Sequence, residues 1–291
     1  MNSLKRGELD ALCMAAETAG DEIMKFYNRH LPPTLKQDNS PVTEADVRAD
    51  TIIRERLGAA FPDVFVVSEE SAARPVLGNQ RLFLVDPLDG TKEFLNGNAE
   101  FTVNIALLDG GVLVAGVVVA PALGEVFYAA TSLGAWKIKD GVETALGISH
   151  GRTVLPLRII GSRSHNVNEV TDWLARLHLS HTFNAVGSSL KFCRIAEGSA
   201  DVYPRFGPTC QWDTAAGQCI LESAGGTVAD LSGRALLYGL DRPIVNPAFI
   251  AFGDSRLRPI FTSSALAGNK RGAMSTDAHA CAPSSDLPFA H

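Results

Sequence analysis

Residues 82–94 read LFLVDPLDGTKEF. Four apolar residues, the pattern of a buried strand, run directly into two aspartates, Asp86 and Asp89, set around Pro87-Leu88 and followed by Gly90 and Thr91. On its own a DG pair after a strand is a turn signal. Other acids change that reading. The preceding apolar run ends in SEES, giving Glu69 and Glu70, and a later helix begins WDTAAG, giving Asp213. Carboxylates at strand ends and at a helix start can converge on one edge of a sheet, where their repulsion is costly without a cation. An oxygen-only donor set with no accompanying His or Cys suits a hard ion, Mg²⁺ before Zn²⁺. Magnesium in turn points to phosphate, and Gly90 and Thr91 offer backbone N–H groups to an oxyanion at an expected helix start.

Around this stretch the sequence predicts two kinds of organisation. Leu9, Leu12, Cys13, Ala16, Ile23 and Met24 recur at helical spacing, so residues 4–27 read as an amphipathic helix. A second helix is expected over 43–60, opened by TEAD, in which Thr43 and Asp46 form a capping box. The strands VFVVS, RLFLV, TVNIALL, VLVAGVVV, VFYAA and AWKIK follow, some with hairpin links such as Asp109-Gly110-Gly111, and predict an antiparallel sheet covered by helices. From about residue 156 strands and helices alternate: strand LRIIG, helix 166–178, strand 182–186, helix 189–197, strand ADVYP, helix 213–224, and strands GTVAD and FIAFG. That is a layered α/β pattern. The expected organisation is an N-terminal α+β lobe over 1–155, a C-terminal α/β lobe over 156–264 that completes the site, and a flexible tail over 265–291.

Composition narrows the function classes. The 291 residues include 46% hydrophobic and 20% charged residues, which excludes disorder throughout, and the formal charge of −6 gives no electrostatic reason to bind nucleic acid or an anionic membrane. Five cysteines without CxxC spacing suggest neither a disulfide framework nor a zinc site and fit a reducing cytoplasm. No membrane span is expected, because the longest apolar run, VLVAGVVVAPALG, is short and broken by Pro121.

SEES, DPLDGTKEF and WDTAAG, in this order and at these separations, resemble the signatures of the inositol monophosphatase superfamily of metal-dependent, lithium-sensitive phosphatases. The resemblance covers residues 4–255, and DGTKEF, GSRSH at 161–165, GSSLKFC at 187–193, YPRFGPT at 203–209 and NPAFIA at 246–251 resemble its CysQ branch, the 3′(2′),5′-bisphosphate nucleotidases. It implies an αβαβα sandwich. It also implies that Glu69, Asp86 and the carbonyl of Leu88 hold a first Mg²⁺, that Asp86, Asp89 and Asp213 hold a second, and that Asp46 reaches a third, weaker ion through water. Thr91 with Glu69 would orient a water for direct in-line attack on phosphorus without a phosphoenzyme, and Li⁺ would inhibit. Gly90, Thr91 and Asp213 would face substrate; Lys191 and Arg205, and less directly Lys92, are the candidate cations for a second phosphate. The expected partner is a small phosphate ester, adenosine 3′,5′-bisphosphate first, with inositol phosphate and sugar phosphates left open, as is a homodimer.

Other readings are weaker. Haloacid dehalogenase-type phosphatases place a nucleophilic acid two residues before the second Asp of their DGT motif, and here that place is Pro87. GISHG at 147–151 fits G-x-S-x-G formally but lacks the buried strand before it and the helix after it. His178 and His181 in HLSH read as solvent-facing rather than as a metal pair.

Overall fold

The computed structural model describes residues 4–29, 34–35, 41–70, 81–148, 155–163, 167–177, 179–259 and 261. The tail from Ala265, His178 and the serine of GISHG, Ser149, lie outside these described residues. Helix α1 (Arg6–Met24), the two-residue strands β1 (Thr34–Leu35) and β2 (Pro41–Val42), and helix α2 (Glu44–Ala60) come first. The apolar run of the opening stretch becomes β4 in a seven-stranded sheet ordered β3 (Phe65–Ser68), β4 (Leu82–Asp89), β5 (Thr102–Asp109), β6 (Val112–Ala120), β7 (Glu125–Ala130), β8 (Gly134–Lys139), β9 (Val142–Leu146), with the short helix α3 (Thr91–Leu95) between β4 and β5. β3 runs parallel to β4, and every later neighbour is antiparallel. The strand β9 is not predicted from its polar sequence VETAL. It is set by Asp140-Gly141, both left-handed at φ 51° and 73°, the backbone of a tight hairpin turn.

A second, five-stranded sheet is ordered β11 (His181–Ala185), β10 (Leu157–Gly161), β12 (Val202–Arg205), β14 (Phe249–Phe252), β13 (Thr227–Asp230). Its chain includes helices α4 (Val167–Leu177), α5 (Leu190–Ala196) and α6 (Gln211–Ser223). Pleat alternation sorts the side chains into layers. Phe83 and Val85 of β4 pack with α1 and α2, whereas Leu82 and Leu84 face α5 and α6; Phe249 and Ala251 of β14 face these same two helices, and Ile250 and Phe252 face Trp173 and Leu174 of α4. The result is a five-layer αβαβα sandwich. One apolar cluster draws side chains from both sides of residue 155. Among the described residues no helix is long and apolar enough to cross a membrane.

Two features hold the middle layer in place. Gly116 of β6 lets α6 approach closely: a Cβ there would lie 2.5 Å from the Ala216 carbonyl oxygen and 2.9 Å from Cys219 Cβ. Backbone cannot yield as a flexible side chain does, so Gly116→Ala is expected to destabilise the fold by about 1–3 kcal/mol through overpacking, read as a lower Tm in thermal unfolding.

Glu125 of β7, 3% exposed, receives Arg194 of α5 at 2.6 Å, Lys137 at 2.8 Å and Lys139 at 3.0 Å, and so ties the first sheet to α5. Burial alone would push its carboxyl pKa up, but the hydrogen bonds from Arg194, Lys137 and Lys139 outweigh burial and hold it at about 2. A carboxylate held below its ordinary pKa contributes stability that is fully present above that ordinary value and is lost as pH falls toward the folded one. Wild-type Tm should therefore fall between about pH 4.5 and about pH 2 in part through this group. Glu125→Gln should lower Tm near neutrality and flatten that acid slope, while Lys137 and Arg194 keep Glu197 as a partner at 2.6 Å and 3.0 Å and so limit the loss.

Candidate metal-centred active site

Because β3 and β4 run parallel, their C-terminal ends reach the same sheet edge, and this brings Glu69 and Asp86 together. The β4–β5 pairing shifts register between Asp86, opposite Asn104, and Asp89, opposite Thr102. Pro87, which has no N–H, sits in this irregularity, and the Leu88 N–H bends back to Asp86 Oδ1 at 3.1 Å. Gly90 follows with φ 87°, where a Cβ would meet the Glu100 carbonyl oxygen at 3.3 Å, so the DG pair reflects a backbone requirement as well as a turn. Its carbonyl accepts from Phe94 N and starts α3.

Asp213 arrives from the other half of the chain, on the first turn of α6. There its Oδ2 accepts the Cys210 N–H at 2.8 Å, so it closes the helix end while facing the site. Carboxylate oxygens of Glu69, Asp86 and Asp213 all lie within 4.8 Å of one another. Burial, then the charges of Asp89 and Glu69, push the Asp213 pKa well above the ordinary carboxylate range, against the Cys210 N–H and Arg205, which pull it down. A hard cation fits this donor set on two grounds: every donor is oxygen, and added positive charge relieves the repulsion among the ionised acids. Asp89 lines the same cavity but is not one of the three clustered acids; its Oδ2 is turned to Ser189 Oγ at 2.8 Å and Asn104 Nδ2 at 3.2 Å.

A cavity of about 250 Å³ opens above these acids, lined also by Leu88, Gly90, Thr91, Lys92, Lys191, Arg205 and Trp212. Thr91 Oγ1 lies 3.2 Å from the Leu88 carbonyl and 3.4 Å from Asp46 Oδ1. Asp46 is buried and is not part of the cavity lining; its Oδ2 accepts the Thr43 N–H at 2.8 Å, the expected capping box. Capping and contact with Thr91 therefore coexist in one side chain. Lys92 is exposed at the rim, and Glu70 is half-buried and does not line the cavity.

Lys191 and Arg205 are 5% and 9% exposed, so neither is a solvated surface charge. Lys191 Nζ donates to the Ser188 carbonyl at 2.6 Å and the Val186 carbonyl at 3.2 Å and lies 5.3 Å from the centre of the Tyr203 ring. Arg205 donates to the carbonyls of Pro208 at 2.7 Å and Gly207 at 3.2 Å. Neither has a carboxylate within ion-pair distance among the described residues. Burial lowers the Lys191 pKa to about 8; Asp89 opposes that shift and Arg205 adds to it.

Sequence reasoning missed two sets of residues. Glu100 Oε2 accepts both Arg163 NH2 at 2.8 Å and the Gly187 N–H at 2.9 Å, fixing the turn that leads to Lys191. Arg163 lies within GSRSH, so the motif was visible and its partner was not. Asn104 and Ser189 meet beside Asp89; the signal for the first was a lone amide in the otherwise apolar TVNIALL, and the second sits inside GSSLKFC.

The inositol monophosphatase family pattern matches residues 6–259. The chain is 46% identical over 245 residues to the 3′(2′),5′-bisphosphate nucleotidase CysQ of Salmonella typhimurium, an alignment spanning 83% of this chain and 98% of that protein, and equally so to its Escherichia coli counterpart. Among solved structures it is similar to CysQ from Bacteroides thetaiotaomicron, a bacterial member of the inositol monophosphatase family, with a TM-score of 0.71, 35% identity, and coverage of 85% of this chain and 97% of that one. The acids at the end of β4, their partners on β3 and α6 and the five-layer sandwich agree with these likenesses, and the chain belongs to the inositol monophosphatase family.

Proposed function

We propose that this chain is a Mg²⁺-dependent phosphatase that removes the 3′-phosphate of adenosine 3′,5′-bisphosphate. The observation that carries the choice of a bisphosphate is the pair of buried cations, Lys191 and Arg205, in the wall of the cavity that the acids also line. A buried charge without a counter-ion is costly, and a second phosphate would supply one. The names borne by the bacterial relatives point to the same substrate class.

Glu69, Asp86 and the Leu88 carbonyl would hold one ion, and Asp86, Asp89 and Asp213 a second, with Asp46 near a third. Bound Mg²⁺ supplies positive charge against phosphoryl oxygens and makes water more acidic. The remaining work falls to the chain's own groups. The Thr91 hydroxyl orients the attacking water and passes its proton toward Asp46, 3.4 Å away, while Glu69, which lines the same cavity, helps align that water. Lys191 and Arg205 grip the phosphate that stays, which holds the other in line for attack.

Phosphate release from adenosine 3′,5′-bisphosphate, inositol 1-phosphate and fructose 1,6-bisphosphate, measured in parallel with Mg²⁺, tests this reading. The expected order places the nucleotide first in kcat/KM; a preference for inositol 1-phosphate would overturn the bisphosphate assignment. Millimolar Li⁺, which offers half the charge of Mg²⁺ to the same oxygens, should inhibit at limiting Mg²⁺.

A further inference from the structure

Ser189 stands where three parts of the site meet. Its hydroxyl accepts from Asn104 Nδ2 at 2.8 Å and lies 2.8 Å from Asp89 Oδ2 and 2.6 Å from the backbone carbonyl of Asp213. Asn104 is fully buried in β5 and Ser189 is 3% exposed. The amide of Asn104 has two hydrogens, and both are used, one on Ser189 Oγ and one on Asp89 Oδ2 at 3.2 Å. Its Oδ1, also buried, has no hydrogen-bond partner. Turning the amide over would place that oxygen against a carboxylate, so its orientation is dictated by Asp89 even though one acceptor goes unsatisfied.

The direction of these bonds has a consequence for Asp89. Every described hydrogen bond to it falls on Oδ2, which holds that oxygen in place and leaves Oδ1 uncommitted among the described residues. The one hydrogen of the same hydroxyl is shared between Asp89 Oδ2 and the Asp213 carbonyl oxygen, so a single side chain bridges an acid of β4 and the backbone of an acid of α6. We propose that Asn104 and Ser189 are positioning residues that form a bracket on Asp89, keeping its free oxygen and Asp213 at the separation a shared divalent cation needs. This inference rests on the metal reading above.

The test is Mn²⁺ titration of the metal-free full chain, followed by calorimetry and by the electron paramagnetic resonance of free Mn²⁺, for the wild type, Ser189→Ala, Ser189→Thr and Asn104→Leu. Groups that orient a metal ligand typically change metal affinity by about 10- to 100-fold when removed. Ser189→Ala and Asn104→Leu should weaken one class of Mn²⁺ site by that factor and raise the Mg²⁺ concentration for half-maximal activity in parallel, with kcat restored to within about threefold of wild type at saturating Mg²⁺. Ser189→Thr keeps the hydroxyl and should bind Mn²⁺ within about threefold of wild type. Asn104→Leu keeps the branched outline of Asn at Cγ while removing both donors, and it carries the test alone if Ser189→Ala does not fold. If wild type takes up no Mn²⁺, the metal reading itself fails. If wild type binds Mn²⁺ and Asn104→Leu binds it equally at every site, or if kcat stays depressed at saturating Mg²⁺, the bracket is overturned.

Discussion

Asp213→Asn is expected to fold normally and to lose turnover by about a hundredfold or more, the scale of removing one strong electrostatic stabiliser. The fold should survive because the capping contact needs only an acceptor, and the amide oxygen of Asn can take the Cys210 N–H that Asp213 Oδ2 takes at 2.8 Å. Activity should not survive, because Asp213 is the one member of the acid cluster that comes from α6, and without its charge Asp86 of β4 and Glu69 at the end of β3 remain alone. Stability should move in the opposite direction. Burial and the charges of Asp89 and Glu69 penalise the ionised form of Asp213, so in EDTA the Tm of the Asn variant should equal or exceed that of wild type. Added Mg²⁺ should then raise the wild-type Tm by more than that of the variant, since a ligand that binds the folded state stabilises it by an amount that grows with affinity. Near-normal Mg²⁺-dependent turnover in Asp213→Asn would remove the two-ion scheme.

These opposing signs follow from how the sequence encodes the site. The acids at the end of β4 were legible because an apolar run that stops at Asp-Pro-Leu-Asp-Gly has few other readings, and Gly90 does take the left-handed conformation such a turn needs. Asp46 was legible as a cap because Thr43 precedes it by three residues. Asp213 holds the same third position of its helix, but Cys210 is not a residue type that announces a cap, so its place rested on the WDTAAG motif alone. The layers were legible from pleat alternation, as in Phe83 and Val85 against Leu82 and Leu84. What the sequence hides is contact between distant segments. Nothing local in TVNIALL says that Asn104 reaches Ser189, 85 positions later, or that Glu100 bonds to both Arg163 and Gly187. Such pairs depend on which layers stack, and that is decided by the whole core. Lys191 and Arg205 show the same limit: the sequence marks both as candidate cations but leaves a solvated surface position open, and the packed structure shows that both are buried.

That burial sets the expected result at the second-phosphate subsite. Lys191 has three donor hydrogens and gives two to the carbonyls of Ser188 and Val186; Arg205 has five and gives two to Gly207 and Pro208. Both therefore retain donors for an anion. Removing a charge-assisted hydrogen bond to that anion costs about 1.5–3 kcal/mol, or roughly ten- to more than a hundredfold in affinity. Lys191→Met and Arg205→Met should lower kcat/KM by that factor for adenosine 3′,5′-bisphosphate and by much less for inositol 1-phosphate, which carries no second phosphate. Removing the hydrogen bonds to backbone carbonyls could loosen the Gly187–Ser189 turn as well, but a loosened turn would penalise both substrates alike, so the ratio of the two effects separates binding from structure. Mg²⁺ dependence should be unchanged in both variants. A pH signature should accompany this selectivity. With its pKa lowered to about 8, Lys191 sheds its charge in a range where an exposed lysine keeps it, so KM for the bisphosphate should climb as pH rises through about 8 while KM for the monophosphate does not. Lys191→Met should abolish that climb. Equal losses on the two substrates, or a climb that persists in Lys191→Met, would assign these cations to the reacting phosphate or to the fold and leave the bisphosphate reading without its physical basis.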